Sequence, residues 1–168
     1  LFLLKTLKKL SRLTKPDVIS LKTREPNGKN VLLSYITRPF IVRENDPSFY
    51  SHTNTWECLQ IAKIWLNHGF NVDVIEWDNS SFIPKKDYNV FIDIHSNMER
   101  LAPLMREDCL KILHITGAHW RFQNAAEMKR LEELYIRRGI KLQPRRQVPP
   151  SNGIECADCA TVLGNKFT

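Results

Sequence analysis

The run of apolar and polar positions along the chain predicts strands separated by helices. Asn30–Ile36 (NVLLSYI) is an almost unbroken apolar stretch, the pattern of a strand buried on both faces. A long loop with two prolines follows over Thr37–Thr53. Thr53 or Asn54 can cap a helix that runs to about His68. Its apolar stripe is Cys58, Leu59, Ala62, Trp65 and Leu66, and Gly69 ends it. Val72–Trp77, Val90–Ile94 and Leu110–Ile115 read as the next three strands, and Ala160–Leu163 as a last short one. A short helix is predicted over Met98–Arg106 and a longer one over Phe122–Arg138, closed by Gly139. The stretch from Leu142 to Pro150, with three prolines, reads as irregular.

Strands that alternate with helices pair in parallel through right-handed crossovers. The fold class is therefore α/β, with a doubly wound, mostly parallel sheet of about five to six strands. Ahead of it, residues 1–14 form an amphipathic helix by pattern. Leu3, Leu7 and Leu10 share one side with Leu4 beside them, and Lys5, Lys8, Lys9 and Arg12 fill the other. Pro16 stops this helix, and residues 15–29 read as a connector with a turn at Pro26-Asn27-Gly28. The expected division is a basic arm and connector over 1–29 and one domain over 30–168.

Charge sharpens that division. The chain of 168 residues has a formal net charge of +7. Residues 1–29 hold eight basic and two acidic side chains, and the remainder holds 17 and 16. The basic character thus belongs to the arm, which argues against a nucleic-acid surface on the domain. A basic amphipathic helix can instead lie on an anionic membrane surface or pack on a partner domain. No stretch approaches the roughly 20 apolar residues that span a bilayer. Four cysteines without a secretory signal point to a reducing, cytoplasmic setting.

In a doubly wound sheet, ligands bind beyond the carboxyl ends of the strands. Polar residues collect in the loops that leave those ends. After the first strand come Arg38, Tyr50, Ser51, His52 and Asn54. After the third come Asp93, His95, Ser96 and Asn97. After the fourth come Thr116, Gly117, His119 and Trp120. His95 and His119 are the candidate catalytic residues, and Trp120 could stack on a sugar ring. Arg38, His52, Asn54, Asn97, Thr116, Gly117 and Trp120 are candidate binding residues. Each has a plainer alternative: helix capping for Ser51 to Asn54, and a ring N–H bonded to a backbone carbonyl for His95. His114 lies inside a strand and reads as a core position, and His68 suits a helix carboxyl end.

Several chemistries are absent by motif. Neither GxGxxG nor GxxxxGK[ST] occurs among the six glycines, so the usual device for a nucleotide pyrophosphate is missing. No GxSxG elbow occurs. Cys156-Ala157-Asp158-Cys159 has CxxC spacing, but no second pair accompanies it and it precedes the last strand, so no metal site is expected.

Three segments together resemble a family. Val31-Leu-Leu-Ser-Tyr-Ile through Asn54-Thr-Trp-Glu-Cys-Leu-Gln-Ile-Ala resembles the first strand, loop and helix of GT-B glycosyltransferases. His114-Ile-Thr-Gly-Ala-His-Trp-Arg-Phe-Gln-Asn-Ala-Ala-Glu resembles bacterial glycosyl transferase group 1 members, and so does the tail from Ala157 to Thr168. The resemblance covers roughly residues 30–168. It implies a Rossmann-like N-terminal domain that holds a sugar or lipid-linked acceptor. The nucleotide-sugar donor would then sit on a second, C-terminal domain, with no cofactor in this one. It also implies a fragment, inactive alone, of an enzyme that transfers a sugar to a hydroxyl. The alternative expectation is a stand-alone α/β binding or interaction module, peripheral to membranes.

Overall fold

The computed structural model describes residues 17–43 and 45–163. The predicted helix over residues 1–14 lies outside them. Among the described residues, six strands form one sheet: β1 (Ile19–Leu21), β2 (Asn30–Tyr35), β3 (Asn71–Glu76), β4 (Val90–Asp93), β5 (Leu110–Ile115) and β6 (Cys159–Val162). Their spatial order is β1-β3-β2-β4-β5-β6. β2, β3, β4, β5 and β6 are mutually parallel, and β1 alone runs antiparallel, along β3. The architecture is the expected Rossmann-like one. From β2 the chain steps outward to β3 and then returns to the other side of β2 with β4, which makes the β2–β4 boundary the switch point of the sheet.

β1 corrects the reading of residues 15–29 as a connector. Ile19 and Leu21 form an edge strand too short to show a periodic pattern, and their register opposite Val74 and Val72 brings them against the core.

Three helices make the main connections: α1 (Thr53–Asn67), α2 (Asn97–Leu101) and α3 (Trp120–Arg138). α1 buries Thr55, Cys58, Leu59 and Ala62. It covers one face of the sheet, where Val31, Leu33, Tyr35, Val72, Val74, Val90 and Ile92 form the core with Cys58 and Ala62. The other face is closed by α2 and the loop before β4, through Leu32, Ile75, Tyr88, Phe91, Met98 and Leu101. Alternate residues of β2 thus serve opposite cores, which explains its near-continuous apolar run. α2 is shorter than the predicted Met98–Arg106 because Pro103 sits in its continuation, which tightens to a 3-10 turn over Ala102–Leu104. Gly69 and Gly139 take positive φ angles of 83° and 66° at the ends of α1 and α3, as the sequence anticipates.

α3 behaves differently. It starts at Trp120, two residues before the predicted Phe122, and buries only Glu127. Phe122, Met128, Tyr135 and Ile136 are each more than half exposed. The helix is held by the irregular strap that follows it. Asn124 and Val148 exchange two hydrogen bonds of 2.8 and 2.9 Å, and Glu127 accepts from the backbone N–H groups of Arg145 and Arg146. The Arg145 and Arg146 N–H groups hold the Glu127 carboxyl below its ordinary pKa, against the effect of burial. Among the described residues, no helix is long and apolar enough to cross a membrane.

Asp73 in β3 is a buried carboxylate one strand in from the sheet's edge. The Tyr88 hydroxyl donates to it at 2.7 Å and the Lys86 ammonium lies 2.9 Å away. Burial alone would raise its pKa, but Tyr88, Lys86 and Ser20 together outweigh that and hold it below the ordinary value. The fold therefore favours the ionised form. Its stabilisation is complete above the unfolded carboxylate value of about pH 4 and is lost as pH falls through the lowered folded value. Asp73→Asn is expected to lower stability at pH 7 by about 1–3 kcal/mol and to flatten the acid limb of the stability profile. Urea unfolding at neutral and acid pH measures both, and an unchanged midpoint at pH 7 would refute the assignment.

Candidate functional site

β4 delivers the first part of the site. Asp93, its last residue, is fully buried, and one carboxylate oxygen accepts from the Met98 N–H at 2.6 Å. That bond closes the turn over residues 94–97 and so positions His95. Burial pushes the Asp93 carboxyl up in pKa, while the Ser34 hydroxyl and the N–H groups of Met98, His95 and Ile94 work against it. The His95 ring packs edge-on against Trp77 at 5.1 Å between centroids. Its Nδ1 is buried and has no hydrogen-bond partner. Gly153 closes on the same turn: a Cβ there would lie 3.2 Å from the His95 carbonyl oxygen and 3.4 Å from Met98 Cβ. A larger residue would push the strap off the His95 loop.

β5 delivers the second part. Thr116, Gly117 and Ala118 leave its end, and His119 caps α3. The His119 Nδ1 accepts from the Arg121 N–H at 3.3 Å. A nitrogen that accepts carries no proton, so the proton of the neutral ring sits on Nε2. His119 therefore presents a donor to its surroundings. The Trp120 ring lies 5.5 Å from the His119 ring, and the Arg121 guanidinium lies 5.1 Å from the Trp120 ring centre.

These loops and the strap line an open cavity of about 300 Å³. His95, Thr116, Gly117, His119 and Trp120 all line it, so five residues singled out in the sequence meet at one place. The strap contributes Val148, Pro149, Ser151, Gly153 and Ile154, which sequence reasoning missed. The one available signal was the cluster of prolines and small residues before the last strand, which marked an irregular segment without saying where it packs. Asn152 ties the strap to α2 through a 3.1 Å bond from its N–H to Glu99.

The other expected binding residues are elsewhere. Arg38 is exposed in a 3-10 turn over Arg38–Phe40. His52, in place of Thr53 or Asn54, is the cap of α1, and its Nδ1 accepts from the Asn54 N–H at 3.2 Å. Arg38, His52 and Asn54 do not line the cavity. Asn97 is buried and its amide is fully engaged. It donates to the Ser34 hydroxyl and the Trp77 carbonyl, both at 3.0 Å, and accepts from Arg100 at 2.8 Å. It joins β2, β3 and α2 and does not line the cavity.

A second polar cluster lies under α1. His114 is buried in β5, as its place in the strand predicts. Its Nδ1 is 2.7 Å from the Thr161 hydroxyl, and its Nε2 is 3.2 Å from Glu57, which also accepts from the Tyr35 hydroxyl. The Glu57 contact has ion-pair distance without hydrogen-bond alignment. The cluster links β2, β5, β6 and α1. Burial, and then Glu57, push the Tyr35 hydroxyl up in pKa, and burial raises the neighbouring Cys58 thiol to about 12. Cys58 is thus a thiol at neutral pH and not a nucleophile. Cys156 and Cys159 are unpaired. Among the described residues, no group of three or more His, Cys, Asp and Glu could hold a metal ion.

Comparison with protein-family models, curated proteins and solved structures finds no match to this chain, so no family is assigned.

The capping role of His119 is open to test. His119→Ala is expected to lower stability by about 1 kcal/mol, and His119→Asn, which can cap in its place, to restore most of it. Thermal unfolding of the two variants decides the point. An Ala variant that melts with the parent would show that the ring nitrogen is not holding the helix.

Proposed function

We propose that this domain is the acceptor side of a sugar-transfer enzyme, with the acceptor hydroxyl held between His95 and His119. One observation carries this reading. Both histidines and Trp120 converge on a cavity at the carboxyl-end rim of a sheet whose sequence has no phosphate-binding loop. The segment resemblance to GT-B enzymes points the same way. A nucleoside-diphosphate sugar would be supplied by a second domain facing the cavity.

The chemistry asks little of this half. The acceptor oxygen bonds to the anomeric carbon of the donor sugar as the bond from that carbon to the phosphate oxygen breaks. The nucleoside diphosphate leaves with the electron pair, and the hydroxyl proton passes to His95. His95 suits the part because it lines the cavity and its turn is fixed by Asp93. His119 suits the other part, since its cap leaves Nε2–H to donate to the acceptor oxygen. Trp120 offers a flat apolar platform beside them.

The reading requires that this domain bind an acceptor and not the donor. In an NMR titration of the folded chain, alcohols or methyl glycosides are expected to shift the Trp120 indole resonance, and UDP-glucose to leave the cavity unperturbed. Trp120→Ala is expected to weaken acceptor binding at least about tenfold, roughly 1.4 kcal/mol. Tight binding of UDP-glucose in the cavity would overturn the assignment.

A further inference from the structure

We infer that the acceptor is an apolar alcohol or amphiphile, a single hydroxyl on a carbon body, and not a free sugar; this rests on the acceptor-side reading above. The cavity wall is the reason. Ile94, Leu113, Ile115, Val148, Pro149 and Ile154 surround it with aliphatic carbon. A hexose would turn a ring of hydroxyls toward that wall, and each one left without a partner loses the hydrogen bonds it had in water.

Polar side chains are the smaller part of the lining. Ser151 accepts from the Gly153 N–H at 3.2 Å and keeps its own O–H, and the Gln123 NH2 donates to the Arg146 carbonyl at 3.5 Å. His95 keeps a buried nitrogen without a partner, and His119 keeps a donor at Nε2. A hydroxyl donates one hydrogen bond and accepts others. A single O–H group needs only one acceptor and one donor from the histidines that line the cavity. Thr116, Ser151, Gln123 and the Trp120 indole are the other polar side chains on the wall, set among a larger number of aliphatic ones.

Size and outlet agree. A volume of about 300 Å³ is at the small end of ligand pockets, enough for the head and first carbons of such a molecule. Ile154 lines the cavity and is 51% exposed, so aliphatic carbon continues from the interior to the surface. A longer tail can leave the cavity along it without crossing a polar rim.

The test uses the folded chain and simple probes: n-hexanol, n-octanol, methyl β-glucoside and UDP-glucose, each followed through the Trp120 indole resonance. Every buried methylene adds roughly fourfold in affinity, so n-octanol is expected to bind about fifteenfold more tightly than n-hexanol. Methyl β-glucoside is expected to bind at least tenfold more weakly than n-octanol. Ile154→Lys, a charge at a half-exposed wall position, is expected to weaken n-octanol at least tenfold while circular dichroism stays unchanged. Methyl β-glucoside binding as tightly as n-octanol would overturn the apolar acceptor and leave the acceptor-side reading standing. Absence of alcohol binding, or affinity independent of chain length, would also overturn it. UDP-glucose bound in the cavity would instead remove the acceptor-side reading itself.

Discussion

The rim depends on the parallel pairing of β2, β4 and β5. Ser34 lies opposite Asp93 and Asp93 opposite Leu113 in that register, so the three strands run out at the same edge. Had β4 run the other way, His95 would emerge at the far edge, a strand's length from His119. A parallel pair needs a long crossover, and a crossover must bury one side against the sheet. The apolar faces that satisfy this demand on either side of β2 are what leave the polar residues at the strand ends. The site is in this sense a by-product of how the core closes.

Buried polar groups then refine what the sheet supplies. Ser34 stands at the centre, at the end of β2, between the Asn97 amide and the Asp93 carboxyl. Through Asn97 it is joined to the backbone leaving β3, and through Asp93 to the turn that carries His95. Nearby, the Thr37 N–H donates to Glu76 and joins the exits of β2 and β3. Each of these groups is enclosed, so removal of one leaves its partner unpaired in a place that water does not serve well. The chain thus holds three loop starts in fixed relation with few residues. An Asp and an Asn beside a histidine look like site chemistry in a sequence, and here they are the frame on which the histidine is mounted.

That difference marks what the sequence could and could not carry. The five parallel strands and both longer helices were legible, because β2 and β3 are nearly continuous in apolar residues and α1 repeats its buried stripe at helical spacing. The end of α3 was legible from Gly139. β1 was not, since three residues at an edge make no period. Among rim residues, His95 on the β4 exit and Thr116, Gly117, His119 and Trp120 on the β5 exit meet in the cavity, while Arg38, His52, Asn54 and Asn97 do not. The exit from β2 is long, and sequence adjacency to a strand end says little about where a side chain comes to rest after many residues of loop. The strap was invisible for a related reason. It has no periodicity, and its place is set by contacts distant in the sequence: Asn124 with Val148, Glu99 with Asn152, and Gly153 against the His95 carbonyl. His119 was legible as a site residue, but its role as a donor follows only from seeing its other nitrogen engaged.

α3 adds a mechanical consequence. Nineteen residues make a rod of about 28 Å. Its foot bears His119 and Trp120, and its latch to the strap lies at Asn124 and Glu127, barely a turn or two above. Most of its length beyond the latch stands clear of the sheet. Such an element is a lever with a short arm and a long one. A tilt of a few degrees moves the outer end by ångströms while shifting the Trp120 end by much less, so the cavity is insulated from jostling at the tip.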